Sequence, residues 1–409
     1  MKTRGALLIL ALITLHPGAT APMKVNEALA SGERVVKIAG LGDSITGVYY
    51  HTGGRRAWTE MLGLALQRLY PQAKLESINA GISGNISADG LRRLDKDVLA
   101  QHPDLVVVMF GMNDVARSTP EAYEQNLRQI VGKCRVAGAE VVLCTPNTIG
   151  TDPSRPMDKL RAHADIVRRL AAELQAPLAD CFAAYEAVSQ RDPRECTALM
   201  SDNIHPNMRG HKLFAEVMAE TITGRKVSLA DVGPLPGLPH VTAKLAANQP
   251  LRVVAMPPSD TLIAPALQAL RPDAQIHVDR WETAGLSLAQ LEASAKARGW
   301  MAMRDNPDLP KPDLVILAIP AAAQAPDFPA FYHHYTWILN WSLSFGKAEW
   351  DAIAIPPAVT DPTAAGTEAQ ANALLVIQGQ DLPYPQRADG DTRAAGELLA
   401  EFLRQQLQP

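Results

Sequence analysis

The stretch Val35-Val36-Lys37-Ile38-Ala39-Gly40-Leu41-Gly42-Asp43-Ser44-Ile45-Thr46 is an apolar run that stops abruptly at Gly-Asp-Ser. The run predicts a buried β-strand that delivers Ser44 to its carboxyl end. Ligands of open α/β sheets bind just outside the carboxyl ends of the strands, so a serine placed there is within reach of a substrate. Taken alone, Gly-Asp-Ser is also an ordinary turn. The choice between turn and nucleophile rests on what the rest of the chain supplies.

Downstream, strands and helices alternate. A polar, glycine-containing loop over 47–56 leads into a helix expected over 57–70. Further strands are expected over 74–78, 104–110 and 140–144, with a short one near Leu178. Helices are expected over 88–101, 120–137 and 157–174. An irregular stretch then runs to Ser201-Asp202-Asn203-Ile204-His205-Pro206-Asn207, and a last helix over 206–223 is expected to carry Pro206 in its first turn. Apolar strands between helices imply a three-layer α/β/α arrangement with a doubly wound parallel sheet. Glycine and polar residues fall at the ends of the first three strands, at Gly42-Asp43-Ser44, at Asn79-Ala80-Gly81-Ile82-Ser83-Gly84-Asn85 and at Gly111-Met112-Asn113-Asp114. Those ends share one edge of the sheet, so with the 201–207 stretch four marked segments can converge.

A serine hydroxyl is a weak nucleophile unless a base takes its proton, and the base works best when a third group fixes its tautomer. Asp202 and His205, three residues apart before a helix, can place a carboxylate on one imidazole nitrogen and leave the other for Ser44. Acyl transfer also needs donors for the developing oxyanion. The backbone N–H groups of Ser44 and Gly84 and the side-chain amide of Asn113 can supply three.

On these four blocks, in this order, the chain resembles the SGNH hydrolases of the GDSL esterase/lipase family over residues 33–224. The resemblance implies a flavodoxin-like sheet, Ser44 as nucleophile, His205 as base, Asp202 as its partner, and Ser44, Gly84 and Asn113 as the oxyanion hole. It implies neither a metal nor an organic cofactor. Asp43 is read as a turn residue, Gly81 as a residue permitting the turn, His102 as a helix end and His211 as a packing or capping residue. His51, Arg55 and Arg56 lie on the loop after the nucleophile; His51 and Arg55 are candidate substrate contacts, against a simpler reading as a solvated loop.

The 409 residues exceed one typical domain. A proline-rich stretch over 225–250 reads as a linker, and residues 251–409 repeat the first half in outline. Lys311-Pro312-Asp313-Leu314-Val315 echoes His102-Pro103-Asp104-Leu105-Val106, which suggests a second α/β domain diverged from the first. Laying one half on the other puts Pro320 and Ala322 where Gly111 and Asn113 stand, Arg387 and Gly390 opposite Asp202 and His205, and Ser259 opposite Ser44. That half is therefore expected to be catalytically silent, with packing ranked above carbohydrate recognition by Trp281, Trp300, Trp337, Trp341 and Trp350.

A formal charge of -4 without a basic run argues against nucleic acid as a partner. Lys2 and Arg4, an apolar run over 6–15 and Ala19-x-Ala21 read as a secretion signal over 1–21, which predicts a secreted or periplasmic protein without an integral membrane segment. Of the four cysteines, Cys134 and Cys144 read as small buried hydrophobes, while Cys181 and Cys196 flank a loop and could pair. The expected substrate is a short O-acyl ester, acetyl on carbohydrate foremost. A lysophospholipase or thioesterase is the alternative within the family, and a non-catalytic carbohydrate-binding or scaffold protein the alternative outside it.

Overall fold

The computed structural model describes residues 23–323, 325–346 and 348–407, so the expected secretion signal lies outside the described residues. Five parallel strands, β1 (Val35–Gly42), β2 (Lys74–Gly81), β3 (Leu105–Met109), β4 (Glu140–Cys144) and β5 (Leu178–Ala179), form one sheet in the order β2-β1-β3-β4-β5. Every residue of β3 is buried, as a central parallel strand covered on both faces requires. Gly42 pairs with Gly81 on one side and with Met109 on the other. The three strands therefore end level, and their three following loops open onto one edge.

Two apolar layers fix that register. On one face Trp58, Met61 and Leu62 of the helix Trp58–Leu69 pack with Phe214 and Met218 of the helix Met208–Thr223. On the other, Leu94 packs with Tyr123, Leu127 and Ile130 of the helix Pro120–Val136. Each fully buried Leu, Met or Phe contributes roughly 1.5–3 kcal/mol, so this burial outweighs local propensity.

Four further parallel strands, β6 (Leu251–Ala255), β7 (Ile276–Arg280), β8 (Leu314–Leu317) and β9 (Asp351–Ala354), form a second sheet in the order β7-β6-β8-β9. This repeats the order β2-β1-β3-β4. Trp281, Trp341 and Trp350 are buried in its core, with Trp300 and Trp337 partly buried against it. Tyr50 and Ala198, from the first half, belong to the same apolar cluster.

Some expectations need correction. The stretch before Ser201 is not irregular: it holds the helices Cys181–Arg191 and Pro193–Thr197, capped by the side chains of Asp180 and Asp192. The following helix starts at Met208, two residues later than expected, because the Asn207 side chain accepts from the N–H groups of Arg209 and Gly210 and so makes Asn207 the cap. The 225–250 stretch is not a plain linker either. It contains the helix Pro239–Ala246, and Leu229 within it is fully buried. All four cysteines are free thiols. Cys181 lies next to Cys144 rather than Cys196, with 3.3 Å between the sulfurs, because the helix it opens starts beside the end of β4.

Candidate active site

Ser44 leaves β1 in a tight turn. Its neighbour Asp43 accepts the Ile45 N–H through Oδ1 at 2.9 Å, and the N–H groups of Thr46 and Gly47 return to the Asp43 carbonyl. Burial raises the Asp43 carboxyl to about 6, against the pull of that bond and of His205. The turn directs the Ser44 hydroxyl to His205, with Oγ 2.8 Å from Nε2. On the opposite side of the ring, Nδ1 lies 2.7 Å from Asp202 Oδ2. A carboxylate can only accept here, so Nδ1 carries the proton and the Nε2 lone pair faces the serine.

The three-residue spacing works because Asp202 closes its own loop: Oδ1 accepts from the N–H groups of Ile204 at 2.8 Å and His205 at 2.7 Å. Oδ2 takes a further bond from the Tyr50 hydroxyl at 3.1 Å. Burial would raise the Asp202 carboxyl, but His205 and these hydrogen bonds hold it far below the usual range. Burial likewise disfavours a charged His205, and Asp202 more than compensates, so its pKa is raised.

The other two blocks meet the serine from the β2 and β3 loops. Gly84 adopts φ +76°, open to glycine at little cost, and neither its N–H nor that of Ser44 has an acceptor among the described residues. Asn113 is buried; Nδ2 donates to the Asn85 carbonyl at 3.0 Å, and only the distant Asp43 Oδ2, at 3.5 Å, is near its second hydrogen. Gly81 serves close approach, since a Cβ there would sit 2.1 Å from the Gly47 nitrogen.

Three arginines brace these loops. Arg155 donates to Asn113 Oδ1 and the Met112 carbonyl, Arg93 to Asn85 Oδ1 and the Gly42 carbonyl, and Arg117 to the Gly84 carbonyl. Asp114 completes the frame by accepting from the Ser87 N–H and hydroxyl and from the Gly111 N–H. Sequence reasoning missed all four, because a charged residue on a helix or in a turn looks solvated.

His51 is part of the site's floor. It is buried, its ring stacks on His205 at 4.8 Å with 7° between planes, and its Nε2–H donates to the Ser44 carbonyl at 3.0 Å. His211 stacks beneath it at 5.7 Å and accepts the Trp58 N–H at Nδ1. Burial, then the proximity of His205, keeps both neutral, His51 well below the ordinary value and His211 at about 3. Arg55 and Arg56 are not on a solvated loop. Arg55 donates to the carbonyls of Leu235, Pro236 and Gly237, and Arg56 makes a buried pair with Asp381, both oxygens at 2.7 Å. Arg55 thus holds the 225–250 stretch, and Arg56 ties the first half to the second.

The second half reaches the loop that carries Asp202 and His205. Asn340 Nδ2 donates to the Ser201 carbonyl at 3.1 Å and Gln380 Nε2 to the Ser201 hydroxyl at 3.1 Å. The Tyr332 hydroxyl accepts from Asn207 Nδ2 and donates toward the Met200 carbonyl. Tyr50, bonded to Asp202, is packed against Trp300, Trp337 and Phe345 and donates its N–H to the Phe345 carbonyl.

A serine, a tautomer-fixed imidazole and open N–H donors at the edge of a parallel sheet define a hydrolase of the acyl-transfer type. The profile of the GDSL-like Lipase/Acylhydrolase family matches residues 41–213. An acetylxylan esterase of Geobacillus stearothermophilus is 30% identical over 216 residues, covering 47% of this chain and 95% of that protein. The thioesterase 1/protease 1/lysophospholipase L1 of Escherichia coli is 31% identical over 183 residues, covering 44% and 81%. An arylesterase of Vibrio mimicus is 28% identical over 195 residues, covering 47% and 91%. The chain belongs to the GDSL-like lipase/acylhydrolase family and is a carboxylic ester hydrolase.

Proposed function

We propose that residues 33–224 hydrolyse esters through an acyl-enzyme on Ser44. The observation that carries this is the relay Ser44 Oγ, His205, Asp202, at 2.8 and 2.7 Å. His205 Nε2 takes the serine proton as Oγ attacks the ester carbon, and the N–H groups of Ser44 and Gly84 with Asn113 Nδ2 hold the oxyanion. The same proton passes to the alkoxide as the ester C–O bond breaks, leaving acyl-Ser44. His205 then deprotonates water, which attacks the acyl carbon and releases the acid and the free serine. Purified, folded Ser44→Ala is expected to lose roughly 10⁴-fold or more in kcat toward p-nitrophenyl acetate. A rate equal to that of the unaltered enzyme would refute the assignment.

The substrate reading is a short acyl ester, acetyl on carbohydrate foremost. It is supported by the likeness to an acetylxylan esterase, by the secretion signal read at 1–21 and by a polar loop after Ser44. No helix among the described residues is long and apolar enough to cross a membrane. We read the protein as secreted or periplasmic, and residues 251–409 as a diverged, non-catalytic copy, on the shared strand order. Rates across esters from acetyl to palmitoyl test the substrate: a fall with length is expected, and a rise would favour the lysophospholipase or thioesterase alternative.

A further inference from the structure

The ester chemistry leaves unused a cavity of about 300 Å³ in the second half. Its floor includes Val254 of β6 and Val315 of β8, and Trp281, Trp341 and Trp350 stand in its walls. An apolar cavity of about 150 Å³ is enough for a benzene ring, so this one has room for a ring and a short arm. Both the size and the aromatic lining are those of a small-molecule site.

The polar groups around it are unevenly satisfied. Trp281 Nε1 donates to Ser294 Oγ, Trp350 Nε1 donates to the Ser342 carbonyl, and the Ser342 hydroxyl donates to the Ile338 carbonyl. The carboxylate of Asp279 is compensated, with Oδ2 2.6 Å from Arg252 Nη2 and Oδ1 3.1 Å from His277 Nε2. Asp279 Oδ2 itself makes no hydrogen bond among the described residues, and the other groups left are donors. Among the described residues Trp341, only 6% exposed, has an indole N–H without an acceptor, and Arg252 Nε is buried without one. Arg298 makes no hydrogen bond or ion pair among the described residues and lies over the Trp281 ring at 4.6 Å. A buried donor without a partner costs about 1–3 kcal/mol and is rare in native proteins. The cavity thus offers aromatic walls, the guanidinium of the exposed Arg298 with Asp279 near it, and unpartnered N–H groups. A ligand complementary to it has a planar apolar body and an anionic acceptor.

We propose that this cavity binds a small aryl carboxylate, with the ring among Trp281, Trp341 and Trp350 and the carboxylate on Arg298 and the free donors. The site stands apart from Ser44 and does not depend on the assignment of the catalytic residues. Calorimetric titration of the full-length protein with phenylacetate tests it, with tryptophan emission as a second signal and phenylacetamide as the neutral isostere. Saturable binding of phenylacetate is expected, weakened about tenfold or more in phenylacetamide, in Arg298→Gln and in Trp341→Phe. Hydrolysis of p-nitrophenyl acetate by Arg298→Gln should be unchanged. Absence of saturation at millimolar phenylacetate overturns the proposal. So does equal affinity for acid and amide, or binding that Arg298→Gln leaves intact, since the ligand then sits elsewhere.

Discussion

At the carboxyl end of β1 the chain runs Gly42-Asp43-Ser44, and the serine hydroxyl lies 2.8 Å from His205 Nε2. At the corresponding end of β6 it runs Met256-Pro257-Pro258-Ser259, and the buried Ser259 hydroxyl makes no hydrogen bond among the described residues. After β3 comes Asn113, and after β8 come Ile319 and Pro320, which bring no side-chain donor. The segment before the last helix differs as sharply. Asp202 and His205 face Ser44 in the first half. In the second, the Arg387 guanidinium is bound to the carbonyls of Ala358, Val359, Asp391 and Arg393, a structural clamp. One topology provides the same addresses twice, with different side chains at each set. Four buried polar groups of the second half, Tyr332, Asn340, Gln380 and Asp381, turn instead toward the first half.

The largest contrast should appear on substituting the two sets of strand ends. Asp202→Asn keeps the shape but presents an amide that favours the wrong imidazole tautomer, and is expected to lower kcat about 10⁴-fold. Ser259→Ala should leave kcat unchanged. Steady-state hydrolysis of p-nitrophenyl acetate decides both, and a large effect of Ser259→Ala would break the comparison.

Next in size is the pair that joins the halves. Asp381 is buried, and desolvation raises its carboxyl even with Arg56 pulling it down. Arg56→Met removes that compensation and is expected to destabilise the protein by about 3–5 kcal/mol. Adding Asp381→Leu removes the stranded charge and should restore most of the loss. Urea denaturation measures both, and a single variant as stable as the parent would mean that this pair does not couple the halves.

The comparison also shows which features a sequence can carry. β3 and β4 were legible because strands buried on both faces are written as unbroken apolar runs, Leu105–Met109 and, within β4, residues 141–144. β2 runs to Gly81, three residues past its expected end at Ile78, since Asn79 turns its side chain to the Thr46 carbonyl and Thr59 rather than to solvent. The helices Cys181–Arg191 and Pro193–Thr197 hide behind short, mixed patterns, although Asp192-Pro193 is a cap followed by a first-turn proline. Ser44, Asp202 and His205 could be named as candidates because their residue types and order are chemically restrictive, and the structure brings the three together. Arg56 could not be placed, because its partner Asp381 lies 325 residues away and no local pattern encodes it. The same holds for Tyr50 and Asp202, 152 residues apart.

The buried histidines under Ser44 give the first half a pH signature that its counterpart lacks at β6. A base whose folded pKa is depressed takes up protons on unfolding, so its stabilising contribution is complete above its unfolded value and is lost as pH falls. For His211 the window runs from about 6.5 down to about 3, and His51 acts in the same direction. The urea midpoint should fall from pH 7 to pH 5, less steeply in His211→Gln than in the parent. His205 has the opposite shift, and its ion pair with Asp202 is favoured below its folded pKa. Catalysis needs it neutral, so kcat/KM should rise with pH through a midpoint above the usual histidine value.

The smallest expected effect tests the link between the halves most closely. The helix Phe328–Ser342 presents two buried tyrosines, Tyr332 and Tyr335. The Tyr332 hydroxyl bridges Asn207 and the Met200 carbonyl, on either side of Asp202 and His205. The Tyr335 hydroxyl has no partner among the described residues. Removing the first hydroxyl costs about one buried hydrogen bond, roughly 1 kcal/mol, and loosens the loop that aims the imidazole. Because that loop acts on the proton relay, Tyr332→Phe should lower kcat by up to about fivefold with KM unchanged. Tyr335→Phe on the same helix should leave kcat as it was and be neutral or slightly stabilising. If the two variants behave alike, in kcat and in urea midpoint, the second half merely packs against the first and its polar contacts do not position the base.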